Sequence, residues 1–193
     1  MARTKDFDEA EILKKAIALF WDKGYNGTSM QDLVDGLGIS RSSLYDTFGD
    51  KHQLYIKALD TYQKNYGGQL CTLIRESQTA EMAIHDLLAM VVNDLLADKQ
   101  QRGCFMVNAG IELANHDTEV NQLICQTQNQ LEDTFLSVIE RGQASGEISP
   151  NKNPLALARF LNNTVKGLQV SAKSSTDRAF FDDIVETALT VLV

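Results

Sequence analysis

Both prolines of the chain, Pro150 and Pro154, fall in one short segment, so nothing before residue 150 is barred from a helix interior by a pyrrolidine ring. Apolar residues recur through that stretch at three- and four-residue intervals, and no segment alternates with the period of two that a strand requires. The chain reads as all-α. With 193 residues, 44% of them hydrophobic and 23% charged, it can bury a sizeable core in one domain or two small ones. The longest unbroken apolar runs, such as residues 87–92, are far short of the roughly 20 residues that span a bilayer, so no membrane segment is expected. Arg3 and Lys5 are followed by Asp6, Asp8, Glu9 and Glu11 rather than by an apolar stretch, which argues for the cytoplasm over a secretory leader. Cys71, Cys104 and Cys125 are odd in number and contain no C-x-x-C pair, which fits reduced thiols and gives no sign of a metal or other cofactor.

Ile12, Leu13, Ala16, Ile17, Leu19 and Phe20 make a helical face that stops at Lys23-Gly24. Thr28 has the chemistry of an N-cap for a short helix over 29–36, with Met30, Leu33, Val34 and Leu37 inward. Gly38 supplies a turn, and Ser40 caps a second short helix carrying Leu44, Tyr45 and Phe48 up to Gly49-Asp50. Two short helices across a glycine turn are a helix-turn-helix candidate. A long helix follows over about 50–76, interrupted without being ended by Gly67-Gly68, and further helices are expected over 79–97, 104–114, 117–142, 154–172 and 177–192. The expected division is a helix-turn-helix unit over 1–50 and a second helical unit over 51–193, the helix over 50–76 linking them.

In a helix-turn-helix the second helix enters the major groove, so it should carry small polar residues toward the nucleic acid and apolar ones toward its own core. Ser40, Arg41, Ser42 and Ser43 occupy the first turn, while Leu44 and Phe48, four apart, share the docking face. Arg41 suits a phosphate or a guanine edge and Tyr45 a phosphate oxygen, and Lys51 stands near the start of the next helix, where amides also favour phosphate. On spacing alone, an αα-hairpin within a bundle stands beside this reading.

Ala16-x-x-Leu-Phe20, Lys23-Gly-Tyr25, Gly27-Thr28-Ser29, Ile39-Ser40, Ser43-Leu44-Tyr45, Phe48 and Lys51 together resemble the N-terminal signature of the TetR family of bacterial transcriptional regulators. Arg102 to Asn108, Glu112 to Ala114 and Gly167 to Lys173 resemble segments of one subgroup. The resemblance implies a repressor, not an enzyme: a homodimer joined by its last two helices that binds a palindromic double-stranded DNA operator and is released by a small-molecule inducer held in a C-terminal ligand-binding and dimerisation domain. Carried over, the DNA contacts are Thr28, Arg41, Ser42, Ser43 and Tyr45, with Lys51 on phosphate and Arg3 and Lys5 as an arm. Asp46 and Thr47 depart from the pattern. Asp46 either accepts from a cytosine amino group or turns away from the DNA, the second being preferred.

Farther on, His85, Asn108, Glu112, His116, Asn162, Asn163 and Gln169 could converge on a ligand alongside Met82, Met90, Phe105, Met106 and Phe135, or serve as solvated faces and packing. Cys104 follows Gly103 at a helix start, two residues from Arg102, surroundings that would lower its pKa and make a thiol switch for electrophiles or oxidants; the plain alternative is a small buried hydrophobe. A Cys104 enzyme using His85 or His116 as base has no local motif behind it. Cys71 and Cys125 read as packing. Stripes of Leu157, Leu161, Val165 and Leu168, and of Ile184, Ala188 and Val191, with Gly167 allowing close approach, fit either intrachain core or, by the resemblance, the dimer interface.

The formal charge of -8 argues superficially against nucleic acid. It is unevenly placed: residues 1–66 hold 9 Lys and Arg against 10 Asp and Glu, and residues 67–193 hold 9 against 16. The helix-turn-helix part is nearly neutral, which predicts weak non-specific binding and reliance on dimeric, sequence-specific contacts.

Overall fold

The computed structural model describes residues 7–192, without the side chains of residues 70, 71 and 75. The expected arm residues Arg3 and Lys5, and the Cys71 side chain, lie outside the described residues. The described chain forms α1 (Glu9–Gly27), α2 (Met30–Leu37), α3 (Arg41–Phe48), α4 (Lys51–Glu76), α5 (Ala80–Ala97), α6 (Phe105–Leu113), α7 (Thr118–Ser145), α8 (Pro154–Ser171) and α9 (Arg178–Thr190). No strand occurs among the described residues. None of these helices is long and apolar enough to cross a membrane.

The caps follow residue chemistry. Asp8, Ser40, Asp50, Thr79, Asp117, Asn153 and Asp177 each precede a helix and accept one of its free backbone N–H groups, or two in the case of Asp117, and Pro154 takes the first position of α8, where its missing N–H costs nothing. One cap differs from expectation. Ser29, not Thr28, caps α2, because Asp32 three residues on returns the hydrogen bond and closes a capping box. Thr28 instead ends α1, fully buried, its hydroxyl donating to the Gly24 carbonyl at 2.6 Å. The break expected at Gly24 is present, but the chain takes one more turn after it: Gly24 adopts φ +73° and ψ 173°, a region open essentially only to glycine.

Two hydrophobic clusters form, and they do not divide at residue 50. The first joins α1, α2, α3 and the front half of α4 through Phe20, Leu33, Leu44, Phe48, Leu54 and Tyr55, and it also takes Phe105, Met106, Ala109 and Leu113 of α6 and Val120 of α7. The second gathers α5, α8, α9 and the back of α7, with Tyr66, Leu73 and Ile74 of α4 packed on it. Helix α6 thus belongs by packing to the N-terminal unit, although some fifty residues separate them in sequence.

Two expectations about faces are corrected here. Leu161, Val165, Leu168 and Ala188, offered as interface, are buried in the second cluster, so these stripes are intrachain core. The outward face of α8 and α9 carries a different set, with Phe160 45%, Val170 46% and Phe180 41% exposed. Cys125, read as packing, is exposed, with its thiol toward Asn121.

Candidate nucleic-acid interface and the cleft beneath it

Helix α3 is seated by Leu44 and Phe48 on the cluster that holds Leu33 and Leu37, across a turn in which Gly38 has φ +70°. With that face docked, Arg41, Ser42, Tyr45 and Asp46 are all exposed on the other. The Arg41 guanidinium lies over the Tyr45 ring at 5.8 Å, and Ser40 Oγ sits 2.9 Å and 2.8 Å from the Ser42 and Ser43 hydroxyls, which makes a compact polar patch at the helix start. Lys51 opens α4 with its ammonium 4.3 Å from the Tyr25 ring centroid; burial pulls its pKa down, while the carboxylates of Glu112 and Asp32 work the other way. A cation so held has shed part of its hydration before any phosphate arrives. Thr28 leaves the DNA-contacting set, since its side chain is buried and already bonded. Asp46 lies one turn beyond Ser42 and is exposed, which is compatible both with a contact to a cytosine amino group and with pointing away from the DNA.

The helix-turn-helix is fastened to the rest of the chain by carboxylates. Glu112, near the end of α6, accepts the backbone N–H of Tyr25 at 2.9 Å and of Asn26 at 2.7 Å, the two groups freed by the break at Gly24. Beside it His52 Nε2 lies 2.7 Å from the Asp117 carboxylate at the head of α7. Glu112 is therefore a fastener between units and not a ligand residue.

The other proposed ligand residues do not converge. His85 is exposed against Asp86. Phe105 is in the first cluster and Phe135 in the second. Asn108 donates to the Arg102 carbonyl at 2.8 Å and accepts from Lys173. Asn162 is buried, donating to the Gln128 carbonyl at 3.1 Å, and its own Oδ1 has no hydrogen-bond partner. Met82 lines an open groove of about 830 Å³ between α4 and α5, while Cys104 and Gln169 reach a cleft of about 700 Å³ between α1 on one side and α4 and α5 on the other. Its aromatic wall is Trp21, Tyr62 and Tyr66, with Trp21 edge-on to Tyr62 at 5.2 Å and the two tyrosine rings parallel. Leu13, Ile17, Val91 and Leu95 complete it, with Asp94 on the α5 side. Sequence periodicity marks each of these as half of a helix face; it cannot say which faces meet.

Cys104 sits at the inner end of this cleft and receives the Tyr62 hydroxyl at 4.0 Å. The expectation of a lowered pKa is reversed. Burial pushes the thiol up and outweighs the backbone N–H groups of Val107 and Met106. Arg102 gives no help, since its guanidinium is bound to Asp98 at 3.0 Å and stacked over Trp21 at 4.3 Å. Neither suggested base pairs with the thiol: His85 bonds Asp86, and His116 lies past the opposite end of α6.

The model of bacterial regulatory proteins of the tetR family matches residues 12–58, and that of the tetracyclin repressor-like C-terminal domain matches residues 80–188. The chain belongs to the TetR family. It is 35% identical to the HTH-type transcriptional regulator YezE of Bacillus subtilis over the whole of both chains. It is 31% identical to the HTH-type transcriptional repressor ComR of Escherichia coli, covering 97% of this chain and 90% of that one. Among solved structures, a cysteine variant of the TetR regulator CifR in complex with 26-bp operator DNA superposes with a TM-score of 0.90 at 28% identity, covering 99% of this chain and 100% of that one. TetR regulators are DNA-binding transcription factors rather than enzymes, and they act as dimers.

Proposed function

We propose that this protein is a ligand-responsive repressor that holds a palindromic operator as a homodimer and lets go when a small molecule enters each subunit. The observation that carries the DNA-reading half is the face of α3: with Leu44 and Phe48 docked, Arg41, Ser42 and Tyr45 stand outward together, next to a partly buried Lys51. The regulatory half rests on the cleft, which separates the first helix of the helix-turn-helix unit from α5. A thiol switch at Cys104 is not favoured, because burial pushes the thiol pKa up and not down.

Selection of bound fragments from genomic DNA, followed by titration at several salt concentrations, tests the reading. Tyr45→Ala should weaken the selected site by about 1–3 kcal/mol, and Lys51→Ala should weaken all sequences alike and flatten the salt slope by about one counterion per subunit. Recovery of no sequence above bulk DNA would overturn it.

Dimerisation through α8 and α9 is supported by their outward face, where Phe160, Val170 and Phe180 are exposed around Gly167. A Cβ on Gly167 would meet nothing within 4 Å in its own chain, so the subunit has no use for a glycine that costs about 1 kcal/mol in a helix interior. Close approach of a second copy supplies one. Gly167→Arg should leave the subunit folded and shift light-scattering mass toward monomer, with about 1–3 kcal/mol lost at each of the two symmetric positions. An undiminished dimer would exclude this face.

A further inference from the structure

The cleft beneath the helix-turn-helix unit has an unusual balance of groups. Three aromatic rings, Trp21, Tyr62 and Tyr66, form one wall, and the carboxylate of Asp94 faces them from α5. The other cleft carboxylate on α5, Asp98, is consumed by Arg102, with its oxygens accepting from the guanidinium at 3.0 Å and 3.2 Å. Asp94 is exposed and has no such partner among the described residues, and its charge adds to the raised pKa of Tyr66, after burial and Cys104. The remaining charged groups, Glu11 and Lys14, are exposed at the rim on α1 and offset each other. A cleft of about 700 Å³, open to solvent, therefore carries at its exposed Asp94 one carboxylate without a protein counter-charge, opposite a bank of π faces. Both attract the same thing, since ring faces and carboxylates each present negative potential to a cation.

We infer that the cleft takes an amphiphilic organic cation, an ammonium borne on a flat apolar body, with the body against Trp21, Tyr62 and Tyr66 and the charge at Asp94. The inference deepens the ligand-responsive reading and rests on it for its regulatory meaning. The site is a joint between units. The Trp21 indole donates to the Gly103 carbonyl at 3.1 Å, so a body wedged against Trp21 bears on the link between α1 and the start of α6. Partial burial raises the pKa of Asp94, and an ammonium beside it would work the other way.

Trp21 is the chain's one tryptophan, so indole emission reports occupancy of this cleft directly. The full-length protein is titrated with para-phenylbenzylammonium, with the isosteric para-phenylbenzyl alcohol and with the matching carboxylate, in the parent, in Asp94→Asn and in Asp86→Asn. Asp86 lies outside the cleft and controls for the overall negative charge of the chain. The parent should bind the ammonium about tenfold more tightly than the alcohol and reject the carboxylate, a difference that shrinks to about twofold in Asp94→Asn and persists in Asp86→Asn. Equal binding of cation and alcohol by the parent, a preference retained in Asp94→Asn, or one lost equally in Asp86→Asn would each overturn the assignment. Anisotropy of a labelled operator in the same samples separates the two ideas. Asp94-dependent binding without operator release leaves the cleft chemistry standing and overturns the ligand-responsive reading; operator release by a neutral or anionic compound with no cation preference does the reverse.

Discussion

Glu112→Ala should loosen the operator complex by about ten- to a hundredfold while leaving α3 and all its DNA-facing side chains intact, because it removes about 2–4 kcal/mol of charge-assisted hydrogen bonding. The carboxylate takes two backbone N–H groups, Tyr25 at 2.9 Å and Asn26 at 2.7 Å, which lie in the last turn of α1, just after the break at Gly24. Without Glu112, the orientation of the helix-turn-helix unit relative to α6 is left to the hydrophobic cluster alone. A dimer that must set two recognition helices at a fixed spacing is sensitive to that freedom. Gly24→Ala should act on the same contact from the other side. The new Cβ would stand 2.9 Å from Glu112 Oε2, and φ +73° strains any L side chain, a cost of about 1–3 kcal/mol before the carboxylate is displaced. The two substitutions should combine to less than their sum, since they damage one contact. Thermal unfolding together with operator titration checks this. If Glu112→Ala melts and binds operator like the parent, the fastener has no role.

Phe105→Ala is expected to have the largest effect on stability. The ring is fully buried at the start of α6 and meets Trp21 at 6.3 Å, Tyr55 at 5.7 Å and Tyr62 at 5.6 Å between centroids. Truncation of such a phenylalanine costs about 3–5 kcal/mol, which in a chain of this size lowers the melting temperature by about 10 °C. Phe105→Leu keeps most of the volume and should cost less than half as much. Calorimetry of the three proteins decides the matter, and a drop of only a degree or two for Phe105→Ala would mean that α6 is not anchored through this ring. The result also bears on ligand binding, because a residue in this cluster supports Trp21 and Tyr62 of the cleft from behind without lining it.

Much of the fold was legible in the residues. The start of α3 at Ser40, of α4 at Asp50, of α7 at Asp117 and of α8 at Asn153-Pro154 were all readable, because a cap is a contact between residues two or three apart and leaves its chemistry in the local order of the chain. Ser29 and not Thr28 caps α2 because Asp32, three residues on, completes a capping box, a spacing that the sequence itself carries. The docking face of α3 was legible for the same local reason: Leu44 and Phe48 are four apart, and what remains on an eight-residue helix must point outward. That geometry also leaves Asp46 exposed one turn beyond Ser42.

What sequence order alone determined, then, is the helical class, the helix-turn-helix with its outward Arg41, Ser42 and Tyr45, and the family that those residues signal. What only the tertiary structure decided is how faces distant in sequence meet: α6 packing into the N-terminal cluster, Glu112 reaching Tyr25 and Asn26, and Trp21, Tyr62, Tyr66 and Asp94 enclosing one cleft. It also decided that the leucine stripes of α8 and α9 face inward and that the Cys104 thiol is raised and not lowered. The physical reason is common to all of these. Periodicity and capping report on neighbours within a turn or two, whereas burial, charge compensation and cavity shape depend on contacts between helices that the local pattern leaves unspecified.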